Sequence, residues 1–382
     1  MSIQLKLSEP RMLDTRFGGV FPFLYRLPNG HLLARMSTGL DIMPDERERE
    51  MFINQKFEHL TQEQWIQKNL ETCPDRTAYS DDTSFWWLRS KDNGKTFEDY
   101  GAPSILSIAQ SESGELTGLA RYTYQKDGVE TCKMWRSADC GDSWDGPYDI
   151  PVQTPAIDRE HPYIIFHRSI ISLGGGVFLV PGYGRFEGDL GDRMFLYKTT
   201  DNFKTLYYYS TIAYDPTVEG HSLDEGDVIR TPDGRLLCVM RNNSYLPMYQ
   251  CWSDNDGASW SGLEMVGSEG VDPALERLDD VLFCTYGRPG VWLMCSENNG
   301  ERWTNRTCLY NSPYEISGKT RGERAGLERS CCYTDVEKLN DHQLLVLYTR
   351  PIDPSDSSVM SPWKPEQLGS FRMFAVEVTV ER

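Results

Sequence analysis

The stretch "SKDNGKTF" at residues 90–97 decides the fold, because it comes back four times. Related octets stand at 137–144 ("SADCGDSW"), 199–206 ("TTDNFKTL"), 253–260 ("SDNDGASW") and 296–303 ("SENNGERW"). A short apolar run leads into each of them: "FWWLR", "CKMWR", "MFLYK", "YQCW" and "VWLMC" in turn. Read physically, the octet is a hairpin turn. Its Asp or Asn accepts backbone N–H groups, its Gly takes a positive φ, and its terminal aromatic packs back between strands. Copies three to five depart from the pattern, with Phe203 at the Gly position and Asn255 and Asn298 at the Asp position. A segment that only has to reverse the chain tolerates such changes.

The pattern S-x-D-x-G-x-T-W resembles the Asp-box of sialidase-type β-propellers. The resemblance implies an all-β, six-bladed β-propeller with a four-stranded blade roughly every 45–60 residues. The closing blade then takes "HQLLVLYTR" (342–350) and "FRMFAVEVTVE" (371–381), joined by an N-terminal strand. Composition agrees, with 12% aromatics, 10 Trp, 20 Tyr, 32 Gly and 21 Pro among 382 residues. A single propeller domain over 1–382 is expected, interrupted at about 42–78 by a charged, helix-like insertion. Phe52, Phe57, Leu60 and Trp65 are spaced there for one helical face. A lid, an oligomer contact and a plain helix on the rim all remain open for it, as does the oligomeric state.

A net charge of −18 and a pI near 4.8 set the field of the whole protein against nucleic acid and anionic membranes. Neither partner is expected. The N-terminus lacks the apolar core of a signal peptide and no run approaches 18 apolar residues, so a cytoplasmic location is expected. The ten cysteines are scattered and lack zinc-ligand spacing, which reads as reduced core thiols. The vicinal pair Cys331 and Cys332 is where redox chemistry is conceivable. No metal and no cofactor is expected.

The same resemblance carries candidate site residues. "FLYRLPNGHLLA" (23–34) resembles the Y/F-R-I-P stretch that opens sialidases, which makes Arg26 the first of three carboxylate-binding arginines. "HRSIISLGGGVFLVPGYG" (167–184) matches a family blade without contributing a catalytic group. "EGDVIRTPDGRLLCVMR" (225–241) resembles E-x-x-V-V-E-L-x-D-G-x-L-L-x-x-x-R, which implies Glu225 as the group polarising the nucleophile and Arg241 as the second arginine. Out along one strand and back along the next returns the chain to the same edge, so both ends of this hairpin project at one rim. "YGRPGVWLMCSENNGERW" (286–303) offers Arg288 as the third arginine, with Arg302 and "RGERAGLER" (321–329) supplying other guanidinium groups nearby. "SCCYTDVEKLNDHQLLVLYT" (330–349) implies Tyr333 as the nucleophile. The general acid is expected in the loop before the first box, at Asp81 or Asp82, with Asp41 next; Asp45 and Asp75 share that loop.

These residue types suit one reaction. Guanidinium groups are always charged and bind carboxylate in bidentate fashion, as a substrate with a carboxylate on its anomeric carbon requires. That carboxylate would repel an Asp or Glu nucleophile, whereas a tyrosine whose proton passes to a glutamate attacks without a prior full charge. The resemblance therefore implies a retaining exo-glycosidase that hydrolyses terminal sialic acid or a related acidic sugar from sialoglycans. A glycosidase or lyase acting on a uronate, and a non-catalytic glycan-binding propeller, are the alternatives. A pure binding module has no evident need for the Glu225 and Tyr333 pairing. One departure stands out: after "LLVLY" the family has a Glu that holds the first arginine, and here Thr349-Arg350-Pro351 follows.

Overall fold

The computed structural model describes residues 3–13, 21–37, 85–103, 105–162, 164–220, 222–242, 246–288, 290–311, 333–351 and 371–382. The 42–78 insertion, all five loop aspartates (Asp41, Asp45, Asp75, Asp81, Asp82) and Cys331 with Cys332 lie outside them. Every regular element among the described residues is a β-strand. Two short N-terminal strands, β1 (Gln4–Leu7) and β2 (Arg11–Met12), precede a meander of β3 (Phe23–Arg26), β4 (Leu32–Ser37), β5 (Phe85–Ser90) and β6 (Glu98–Tyr100). Next come β7 (Ser107–Gln110), β8 (Leu116–Lys126), β9 (Val129–Ser137) and β10 (Asp145–Gln153), then β11 (Ile164–Phe166), β12 (Ile171–Gly174), β13 (Val177–Gly184), β14 (Arg193–Thr199) and β15 (Leu206–Ala213). A meander of β16 (Leu223–Arg230), β17 (Leu236–Asn242), β18 (Pro247–Ser253) and β19 (Glu264–Glu269) leads to β20 (Val271–Leu278), β21 (Val281–Gly287), β22 (Val291–Ser296) and β23 (Thr304–Tyr310). The chain ends with β24 (Thr334–Asn340), β25 (Gln343–Pro351) and β26 (Phe371–Glu381).

These strands form five sheets. Three are four-stranded antiparallel meanders in chain order, β3 to β6, β16 to β19 and β20 to β23. The nine-stranded sheet consists of β7 to β10 and β11 to β15, stitched by a two-residue parallel pairing of β10 with β15 and by one bridge from Ile165 on β11 to Tyr122 on β8. The last sheet, β1-β26-β25-β24, joins the two ends of the chain, with Gln4 opposite Glu381.

The core lies between sheets. One cluster gathers Leu24, Leu32 and Leu88 of the first meander with Leu345, Leu347 and Ala375 of the last; another packs Leu237 and Trp252 against Leu282 and Tyr286. Sheets pack on both faces of β17, β21 and β25, whose alternate residues enter different core clusters, so these strands read as nearly continuous apolar runs without alternation. Seven cysteines fall among the described residues, all free, and five of them are buried.

Each octet is the turn closing a strand pair, and one network recurs in it. Ser90 Oγ donates to Asp92 at 2.8 Å and accepts the Gly94 N–H at 2.8 Å, while Asp92 accepts the Thr96 N–H at 2.9 Å. In the fourth copy Asn255 accepts the Ser259 N–H at 3.0 Å, so the amide oxygen does the work of the carboxylate. Phe203 sits at φ 62° where the other copies have Gly, fully buried against Phe178. Trp144 and Trp303 donate their indole N–H to Tyr100 and Gln250 on the preceding meander, which ties successive sheets together.

Candidate active site

The rim opposite the octets is built from the first residues of successive inner strands. On β16 the register jumps from Asp224 opposite Arg241 to Asp227 opposite Val239, so the strand bulges, and Glu225 in the bulge takes φ 45°. A bulge of this kind re-aims a side chain. Gly226 permits it: a Cβ there would lie 2.7 Å from Met194 Cε and 3.1 Å from Met240 Cβ. Arg241, near the end of β17, comes back to the same edge.

Tyr333 immediately precedes β24, its carbonyl accepting the Thr349 N–H at 3.0 Å. Its hydroxyl donates to Glu225 Oε1 at 3.1 Å, and both groups are buried. Arg241 Nη1 lies 2.6 Å from Glu225 Oε2 and 3.4 Å from the Tyr333 hydroxyl, bridging the two. Its Nε is 3.7 Å from Asp224 Oδ1, so one guanidinium serves two adjacent carboxyl groups. Burial works against the Arg241 charge, but Glu225 and Asp224 hold the group firmly protonated. Burial, with the negative charges of Glu225 and Asp192 and against the pull of Arg241, raises the Asp224 carboxyl to about 8.

Tyr333 is bounded by Phe21, whose ring centroid is 4.7 Å away, and by the Arg288 guanidinium, 6.0 Å above its ring. Arg288 lies in the tight β21–β22 connection at φ 56°, its N–H bonded to the Gly290 carbonyl. Phe21 also carries Arg121, 3.7 Å from its ring centroid and at the irregularity in β8. Burial opposes the charge of Arg121, while Tyr122, Tyr183 and Glu225 raise its pKa.

Beneath the rim lies a buried ionic frame. Arg168 reaches Asp272 Oδ2 at 2.6 Å and Asp335 Oδ1 at 2.9 Å, and also donates to the Thr334 carbonyl. Asp272 Oδ2 accepts the Thr334 N–H at 3.2 Å. Carboxylates also pass from one inner strand to the next: Asp227 to the Leu275 N–H, Glu276 to the Lys338 N–H and Asp335 to the Leu24 N–H. Burial raises Asp335 to about 7 in spite of Arg168. These ties fix the peptide that follows Tyr333.

Of the residues singled out in the sequence, Glu225, Arg241, Tyr333 and Arg288 come together, and Asp81, Asp82 and Asp41 lie outside the described residues. Arg26 is not gathered with them. It sits at the other end of its strand, donating to the Lys338 carbonyl at 3.0 Å through Nε and lying 3.6 Å from Glu337. The reason is local. Leu27 to His31 form the β3–β4 turn, with Leu27 N–H on the His31 carbonyl and Gly30 N–H on the Leu27 carbonyl. A residue directly before that turn must lie at the end of β3 away from the rim, and the Pro-Asn-Gly in "RLPNGH" was the signal for it. Asp224, Arg121 and Phe21 were not singled out. Asp224 was legible as the cross-strand partner of Arg241, whereas nothing in "LARYTY" marks Arg121 beyond a charge inside an apolar run.

Fold and rim together define an all-β protein of propeller type, with a buried tyrosine, glutamate and arginine cluster at one end of its inner strands. The chain belongs to the BNR repeat-like domain family, whose profile matches residues 107–346. No curated protein matches it in sequence. Similar solved structures include a Dyadobacter fermentans protein of unknown function (16% identity, 99% of both chains, TM-score 0.67). An alpha-L-arabinanase of Penicillium chrysogenum, solved with arabinobiose, is also similar (15% identity, 98% of both chains, TM-score 0.61). So is a point mutant of the NanB sialidase of Streptococcus pneumoniae (11% identity, 94% of this chain and 70% of that one, TM-score 0.56).

Proposed function

We propose that this chain is a retaining exo-glycosidase, a single six-bladed β-propeller that hydrolyses a terminal sialic acid or related acidic sugar. The observation that carries the reading is the Tyr333 hydroxyl donating to Glu225 at 3.1 Å with Arg241 in contact with both. A buried phenol held on a carboxylate is an activated nucleophile. Glu225 accepts the phenol proton as the tyrosine oxygen bonds to the anomeric carbon and the bond to the leaving oxygen breaks. A carboxylic acid from the segment bearing Asp81, Asp82 and Asp41 protonates that oxygen, then deprotonates the water that releases the sugar. Arg241 and Arg288 are the groups assigned to the substrate carboxylate.

One observation favours a second reading, in which the sugar is neutral. Arg241 is already shared by two carboxyl groups and Arg26 is engaged elsewhere, which leaves fewer positive charges for an acidic substrate. The arabinanase similar over nearly the whole chain supports that reading. Hydrolysis of an aryl sialoside and of an aryl α-L-arabinofuranoside by wild type and Tyr333→Phe separates the two. Turnover of the sialoside alone, lost in the variant, is expected. Turnover of the arabinofuranoside alone transfers the assignment to the neutral sugar, and wild-type activity that survives in Tyr333→Phe removes the tyrosine from the nucleophile role.

A further inference from the structure

We infer that Asp224 is the specificity-determining residue of this site, deciding between an anionic and a neutral sugar by competing with the ligand for Arg241. The inference rests on the glycosidase reading for the identity of the ligand, and on geometry for the competition. Asp224 and Arg241 are directly opposed in the β16–β17 ladder, so their side chains share one face, with Nε of the arginine 3.7 Å from Oδ1 of the aspartate. The other end of the guanidinium is committed to Glu225 at 2.6 Å. Nε of Arg241 and Oδ1 of Asp224 are both buried, so a sugar carboxylate that engages this guanidinium comes within range of the Asp224 charge. An ionised Asp224 there presents like charge to the ligand and neutralises its receptor, whereas a protonated Asp224 does neither.

The surroundings keep this balance close. Ser222 Oγ lies between Asp192 (2.7 Å) and Asp224 (3.2 Å), and Arg185 donates to the other oxygen of Asp192 at 2.9 Å. Facing Asp224 are Glu225 on its own strand, Arg241 on β17, Asp192 from the loop before β14, and Tyr183 on β13, whose phenol is raised by burial, lowered by Arg121 and raised again by Glu225 and Asp224. Two carboxylates push the Asp224 proton on and one guanidinium pulls it off, which with burial leaves the carboxyl titrating near 8. Binding of an anion at Arg241 then favours the protonated form, so binding and proton uptake are linked.

Calorimetric titration of wild type, Asp224→Asn and Asp224→Glu with sialic acid, glucuronic acid and arabinose at pH 6, 7, 8 and 9 tests this. For wild type the Kd of both acids is expected to rise about tenfold per pH unit above 8, with proton uptake on binding, while arabinose shows no such trend. Asp224→Asn removes the trend for the acids, and Asp224→Glu restores it. The inference is overturned if Asp224→Asn keeps the wild-type pH dependence, or if neither acid binds wild type at any pH. Charge-dependent binding without hydrolysis of any aryl glycoside would sink the glycosidase reading and leave the role of Asp224 standing. Sialoside turnover with unaltered pH dependence in Asp224→Asn would do the reverse.

Discussion

The bulges of β16 and β20 are the same backbone device put to two uses. Each lies within the first residues of an inner strand, between Asp224 and Asp227 in one and between Val271 and Ala274 in the other. Each carries an acidic residue at positive φ, Glu225 at 45° and Asp272 at 51°. Glu225 spends its carboxylate on a hydroxyl and a guanidinium at the rim. Asp272, only 1% exposed, spends its own on Arg168 and on the peptide of Thr334. One acts on the tip of Tyr333 and the other on the backbone that carries it. A bulge thus fixes where an acid stands, while side-chain length and neighbours decide what it serves.

The largest separation between the two bulges is expected in activity. Glu225→Gln keeps the shape and an acceptor for Arg241 but cannot take the phenol proton, and should lower kcat by roughly 10²–10⁴-fold with a smaller loss of stability than Asp272→Ala. Asp272→Ala should do the opposite in kind. It leaves the buried Arg168 short of a partner and is expected to cost about 3–5 kcal/mol in denaturant unfolding. Equal stability losses at both positions would end the distinction. Next in size, Gly226→Ala drives a Cβ into Met194 and should destabilise by about 1–3 kcal/mol while displacing Glu225, so kcat falls with stability. At the opposite end of the strands, Asp92→Ala removes the acceptor of the first turn and should cost about 1 kcal/mol without touching activity.

The remaining expectation concerns pH. Asp335 titrates near 7 in the folded protein and near 3.8 when unfolded, so the folded state binds more protons across that window. Its contribution to stability is complete below about 4 and is lost as pH rises through about 7. Asp335→Asn should flatten that part of the stability profile, a change readable from melting temperatures at pH 4 to 8. A profile that keeps its slope in the variant would assign the effect to another buried acid.

Most of the strand order is legible in the sequence. Five octets mark five turns, the apolar runs before them become strands ending on the first octet residue, and the terminal segments share a sheet. Local chemistry is sufficient for that, because a turn built of Asp, Gly and Ser carries its hydrogen bonds within eight residues. The site was legible where hairpin arithmetic applies, as for Glu225 and Arg241, which meet because their strands are adjacent. Arg26 lies away from the rim because the turn that immediately follows it, not the three-residue likeness, sets its end of β3.

By itself, then, the sequence determined an all-β chain of repeated meanders and the side chains available at one rim, since propensity, period and turn chemistry are properties of neighbouring residues. Tertiary structure alone decided that Tyr333 meets Glu225 across more than a hundred residues, that Arg168 ties β20 and β24 from below, and that Arg121 packs on Phe21. It also decided the state of Asp224. A carboxyl group's proton depends on burial and on groups that three separate segments bring to it, and no local window of the chain contains them.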